Sequence, residues 1–114
     1  MGRLAIFTLV GLTFGASIAQ AKDTKFWNLT QNKIVSLQLS PVGKGIWGKN
    51  QTDNDNDHSV DPDERLKITD IKSGNYDVRF KDATGNVCLV KNVAVTEGEI
   101  FSIEDDALTD CNKK

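Results

Sequence analysis

Apolar and polar positions alternate most regularly around a turn near the middle of the chain. Tyr76, Val78 and Phe80 interleave with Asp77, Arg79 and Lys81, and the run Val87-Cys88-Leu89-Val90 returns after Asp82–Asn86. A period of two is that of a strand with one dry and one wet face. The pattern therefore predicts a central hairpin that buries Tyr76, Val78 and Phe80 and leaves Asp77, Arg79 and Lys81 in water. Gly85 can take the positive φ that a tight connection needs, and Asp82 and Asn86 are residues that brace such turns.

The rest of the chain is organised by how it covers the dry face of that hairpin. Lys25–Thr30 and Lys33–Leu39 are short β-rich runs on either side of Gln31-Asn32, which predicts a first hairpin, with Val35, Leu37 and Leu39 sharing a face. Pro41 ends the second run, since proline cannot donate to a ladder. Val42–Gly48 holds three glycines and Trp47 and reads as an irregular crossover. Leu66 and Ile68 open a third strand, which runs to Ser73-Gly74. Val93 and Val95 continue the returning strand to a turn at Thr96-Glu97-Gly98. Ile100–Ile103 is the last strand, and Asp105–Leu108 forms one helical turn that brings Cys111 back to the sheet. Six to seven short strands without helical periodicity predict an all-β fold, a small antiparallel, Ig-like β-sandwich.

The first residues change the picture of where this domain works. Met1-Gly2-Arg3 is a short basic start, Leu4–Ala19 is uncharged, and Ala19-Gln20-Ala21 is a small-x-small exit followed by Lys22 and Asp23. This is the pattern of a cleaved secretory signal over 1–21, leaving a single domain over 22–114 that is periplasmic or secreted. A domain of that size has a marginal core and gains from a covalent staple. In an oxidising compartment Cys88 and Cys111 supply one, and closing a loop of about 20 residues stabilises by roughly 3 kcal/mol.

Charge excludes some partners. Without Arg3 the chain carries 13 Lys and Arg against 16 Asp and Glu, a net charge of −3, with the positive charges scattered singly. Neither a nucleic acid nor an anionic membrane surface fits that distribution, and no later stretch is apolar enough to span a bilayer. The expected partner is a protein or another component of the cell envelope.

Ser40-Pro41, Trp47-Gly48, Gly74-x-Tyr76-Asp77-Val78-Arg79-Phe80, Asp82-x-x-Gly85-x-x-Cys88 and Asp106-x-Leu108-x-x-Cys111 follow one another in this order. The set resembles a family of small exported bacterial β-sandwich proteins in which an SP…WG segment precedes a G-x-YD-[VI]-RF strand and a pair of cysteines. The resemblance covers most of the chain after residue 21. It implies a secreted or periplasmic domain with a disulfide and no assigned reaction. This chain departs from the pattern in the long acidic stretch between Trp47 and Leu66.

That stretch carries the first candidate chemistry. From Asp53 to Glu64 it fits a twelve-residue calcium loop, with Asp53, Asp55, Asp57, Asp61 and Glu64 at positions 1, 3, 5, 9 and 12 and Ser59 offering a carbonyl at position 7. His58 stands where such loops carry glycine, and no helices flank the tract. The alternative is a solvated acidic loop that binds nothing. A second candidate is Ser73-Gly74-Asn75-Tyr76, similar to the SGxY loop of some periplasmic lysozyme inhibitors, although Gly74 and Tyr76 also suit a strand entry and a core aromatic.

Nucleophilic catalysis lacks a base held beside a nucleophile, because the sole histidine lies in the acidic tract and both cysteines are expected to be oxidised. Trp27 and Trp47 are residues that can stack on sugars, and in a domain this small they also suit the core or its edge. Asn28-Leu29-Thr30 and Asn50-Gln51-Thr52 are glycosylation sequons in a eukaryotic setting. The reading that results is a non-catalytic exported β-sandwich without a cofactor, a binding or structural module of the cell envelope. A Ca²⁺-binding module and an enzyme inhibitor are the alternatives.

Overall fold

The structure is a computed structural model that describes residues 22–113, so the signal segment expected over 1–21 lies outside the described residues. Seven strands follow in order: β1 (Thr24–Leu29), β2 (Ile34–Pro41), β3 (Arg65–Ile68), β4 (Gly74–Asp82), β5 (Asn86–Val95), β6 (Ile100–Glu104) and β7 (Cys111–Lys113). Single 3-10 turns occupy Gln51–Asn54 and Asp105–Ala107. The strands form two sheets, ordered β3-β1-β6 and β2-β4-β5-β7. All neighbours are antiparallel except β1 and β6, which run parallel. This is the small all-β sandwich that the alternating pattern predicts.

The core lies between the sheets. Phe26, Leu66, Ile68, Phe101 and Ile103 from one sheet meet Leu37, Leu39, Val78, Phe80, Cys88 and Val95 from the other, with the Phe26 and Phe101 rings 5.4 Å apart. Alternation delivers these residues, because a strand turns every second side chain to the same face. Cys88 and Cys111 are directly opposed in the β5–β7 ladder and bonded, with their Cα atoms 4.0 Å apart. The disulfide fastens a three-residue strand that has few apolar anchors of its own.

Several local expectations are corrected. The runs around Gln31-Asn32 do not form a hairpin, since β1 and β2 belong to different sheets. The cause is Asn28, which is fully buried and points inward from β1. Its Nδ2 donates to the carbonyls of Asn32 and Val60, at 2.9 and 3.0 Å, and its Oδ1 accepts from the Thr30 amide and hydroxyl, at 3.0 and 2.7 Å. These bonds satisfy the side-chain amide completely and fix a turn that carries the chain across the sandwich.

In β2 the register shifts between Ile34 and Ser36, so Ile34 enters the core and Val35 is left half-buried. β3 stops at Ile68, short of Ser73-Gly74, and Asp70 takes a positive φ of 62° as the chain crosses to the second sheet. Asp77, expected in water, is buried, and Tyr76 is only half-buried.

Candidate functional site

The Pro41–Gly48 connection folds onto the outer face of the β2-β4-β5-β7 sheet, and three groups hold it there. Ser40 Oγ accepts from the Ile46 amide at 2.9 Å, the Leu39 carbonyl accepts from the Gly48 amide at 3.0 Å, and Asp77 Oδ2 accepts from the Gly43 amide at 3.0 Å. Asp77 also binds the neighbouring strand β5, because its Oδ1 accepts from the Asn92 amide at 3.1 Å. These amide bonds, from Gly43 first and Asn92 second, hold the Asp77 carboxyl below the usual carboxylate range. Gly43 has φ 75°, a conformation in which glycine carries no Cβ penalty.

The loop sets Trp47, half-exposed, against Arg79 of β4. The Arg79 guanidinium lies 4.3 Å from the centre of the Trp47 ring, and its Nη2 donates to Gln38 Oε1 at 2.8 Å. Gln38 Nε2 in turn donates to the Gly48 carbonyl at 3.0 Å, so strand and loop brace each other. Leu89 is the cross-strand partner of Arg79 and stands half-exposed beside it, with Val87 further along β5. Trp47, Arg79, Val87, Cys88, Leu89, Asp110 and Asn112 line a shallow cavity of about 390 Å³. This shelf combines an aromatic ring, a guanidinium, two aliphatic side chains and two polar groups at its rim.

The opposite outer face carries a second stack of another character. Arg65 lies 4.2 Å from the centre of the Trp27 ring, but Trp27 Nε1 donates to Asp63 Oδ1 at 3.0 Å, and Lys25 and Lys67 flank it on the same face. Among the described residues no hydrogen bond takes Trp47 Nε1. The sequence reading offered the core or its edge for both tryptophans, and both are instead half-exposed on outer faces.

The acidic stretch is not a loop hanging in solvent. Asn50 Oδ1 accepts from the Leu37 amide at 2.9 Å, the Leu39 carbonyl takes Gly48, and Thr52 Oγ1 lies 3.3 Å from the Val35 carbonyl, covering the edge of β2. Gln51 and Thr52 are buried, and Gln51 bonds the Thr69 amide and carbonyl at 3.0 and 2.9 Å beyond β3. Val60 enters the core and pairs with Ile34. The tract thus closes one side of the sandwich.

Its carboxylates engage their own loop. Asp53 Oδ1 contacts His58 Nδ1 at 3.2 Å, Asp57 Oδ1 accepts from the Ser59 hydroxyl at 2.9 Å, Asp55 Oδ2 accepts from the Asp57 amide at 3.2 Å, and Glu64 Oε1 accepts from the Asp61 amide at 2.7 Å. Among the described residues no three His, Cys, Asp or Glu side chains are placed to hold a metal ion. His58, at the position where calcium loops carry glycine, takes a positive φ of 58°.

Ser73, Gly74 and Tyr76 are drawn to the surface of the fold. Ser73 Oγ accepts from the Glu97 amide at 2.8 Å, Gly74 opens β4, and the Tyr76 hydroxyl donates to the Lys72 carbonyl at 2.7 Å. The Tyr76 ring packs against the core.

The carboxyls that leave their ordinary range, Asp57, Asp77 and Asp82, all move down. At Asp57 the causes are the side-chain hydrogen bond it shares with the Asp55 carboxyl and then the one donated by the Ser59 hydroxyl. At Asp82 burial works upward, and the Thr84 hydroxyl with the Asn86 and Thr84 amides outweighs it. A general acid needs the opposite shift.

The buried polar residues Asn28, Gln51 and Thr52 were missed by hydropathy, yet a sequence signal was present. Both N-x-T tripeptides fold alike, with Asn Oδ1 receiving the amide and hydroxyl of the threonine two residues on, and Asn28 is fully buried by that role. Comparison with family models, with curated proteins and with solved structures gives no match to this chain.

Proposed function

We propose that this chain is a non-catalytic binding module that contacts a protein or envelope component through the Trp47–Arg79 shelf. The observation that carries the reading is the construction of the shelf. Ser40, Asp77, Gln38 and the Gly48 amide hold a glycine-rich loop so that Trp47 stays half-exposed on a rigid sheet beside Arg79 and Leu89. Tryptophan and arginine dominate binding hot spots, and a side chain fixed in advance loses little entropy on contact. The Cys88–Cys111 bond at the edge of the shelf fits an oxidising compartment. Among the described residues no helix is long and apolar enough to cross a membrane.

The test is capture from an extract of envelope and exported proteins with the domain 22–114 as bait. A partner retained by the wild type and by Trp27→Ala, and lost by both Trp47→Ala and Arg79→Ala, is the expected result. Capture that survives both shelf substitutions would overturn the assignment.

A further inference from the structure

Among the described residues no strand pairs with the outer edge of β6, and that edge carries an inference of its own, independent of the shelf. β6 is the outermost strand of that sheet. Its register with β1 pairs Lys25 with Ile100, and the Lys25 amide donates to the Glu99 carbonyl at 3.1 Å. In a parallel ladder a residue bonds to the neighbours of its partner, so Glu99, Phe101 and Ile103 turn their backbone groups to β1. Ile100, Ser102 and Glu104 turn theirs outward.

Other edges are treated differently. The β2 edge is covered by Gly48–Thr52, β3 packs against the Gln51–Asn54 turn, and β7 is three residues long. Along β6 the outward side chains Ser102 and Glu104 are exposed, and Ile100 is 51% exposed.

Charge selects the occupant. Glu97, Glu99, Glu104, Asp105 and Asp106 place five of the 16 acidic residues in or next to this strand along the chain, and no Lys or Arg lies between Lys91 and Lys113. Glu97 and Glu99 also line a shallow cavity of about 450 Å³ at the start of β6, with Lys22, Thr24 and Gly98. Lys25, beside Ile100 on the outer face, is the one cation in register with the strand. Two copies of such an edge repel each other, as charged edges do in proteins that resist self-association.

We infer that β6 accepts an extended, lysine- or arginine-rich peptide segment of another protein, added as a fourth strand to the β3-β1-β6 sheet. Backbone groups of Ile100, Ser102 and Glu104 supply the ladder, and the surrounding carboxylates select cationic side chains.

The probe is a fluorescent heptapeptide of alternating lysine and valine, titrated into the domain 22–114 and followed by anisotropy and by amide hydrogen exchange. Two control peptides have glutamate in place of lysine, or the same charge with a central proline. Saturable binding of the lysine peptide, with slowed exchange at Ile100, Ser102 and Glu104, is expected. At least a tenfold loss is expected for the proline peptide, for the glutamate peptide, and for the Ser102→Pro variant, whose substitution removes an outward amide at a position where edge strands accept proline. The double variant Glu99→Lys, Glu104→Lys tests charge without touching the backbone and should lose affinity similarly. Equal binding of the proline peptide would reduce the effect to charge alone and overturn the inference. No binding of the lysine peptide, or a dimer of the domain that Ser102→Pro dissolves, would overturn it as well.

Discussion

Asn28 Oδ1 accepts from the Thr30 hydroxyl at 2.7 Å, and the same bond recurs between Asn50 and Thr52 at 2.9 Å and between Asp82 and Thr84 at 2.6 Å. One short motif therefore fixes three changes of direction: the exit from β1, the start of the acidic stretch and the central turn. An acceptor that takes an amide and a hydroxyl two residues on offers the chain an alternative to continuing its ladder. Asn28→Ala should cost about 3 kcal/mol, because it removes four bonds at once and leaves the buried Thr30 amide without its acceptor. Thr30→Val should cost about 1 kcal/mol. Urea unfolding of the two variants checks the order, and equal small losses would deny Asn28 its role in steering β1 and β2 into different sheets.

The central turn predicts an acid limb. Asp82 is buried, and its Oδ1 accepts from the Thr84 and Asn86 amides at 2.9 and 3.1 Å, while Asp77 ties the Trp47 loop to β5. Both carboxyls titrate below their unfolded value, so the ionised folded state is favoured. Their stabilisation is complete above the ordinary carboxylate pKa and is lost as pH falls through about 4 and below. Melting temperature should be level between pH 6 and 7 and fall under pH 4. In Asp82→Asn, which cannot ionise, that fall should be shallower from a lower starting value. A wild-type curve of unchanged steepness in this variant and in Asp77→Asn would place the acid sensitivity elsewhere.

The bond between Cys88 and Cys111 spans 23 residues of sequence and holds the terminal strand. Its removal in a double alanine variant should cost roughly 3 kcal/mol by restoring freedom to the unfolded chain. Proteolysis should then begin after Glu104, where few apolar anchors remain. A double variant as stable as the wild type would show that Leu108 and the strand ladder suffice.

Calcium is expected to leave the melting temperature unchanged at millimolar concentration. Asp53, Asp57 and Glu64 are engaged with His58, Ser59 and Asp61, and recruiting them to an ion would cost those bonds. A melt with calcium against chelator is the measurement. A rise that mass action explains, and that Asp53→Asn abolishes, would instead favour the calcium reading of the tract.

The fold was legible wherever a strand has one dry face. Val78 and Phe80, Leu37 and Leu39, Leu66 and Ile68, and Phe101 and Ile103 all alternate in sequence and all lie in the core. The β1–β2 crossing was not legible, because a buried asparagine looks polar in any hydropathy pattern. The acidic stretch misled for the related reason that its charged positions hide Gln51, Thr52 and Val60, which face inward. The residues of the shelf were each visible, as Ser-Pro, Trp-Gly, Tyr-Asp and Arg-Phe pairs. Their meeting was not, since only the register of β2 with β4 brings Gln38 to Arg79 and the loop across both.

The shelf can be tested in intact source cells by photo-crosslinking from single positions. Benzoylphenylalanine in place of Leu89 sits beside Arg79 and Trp47, while replacements of Lys67 and Ser73 place the same probe on the opposite face and at the β4 entry. The expected outcome is one discrete adduct from position 89 that disappears when Trp47→Ala is added, with none from position 67. An adduct from position 67 or 73 and none from position 89 would contradict a binding role for the Trp47–Arg79 shelf.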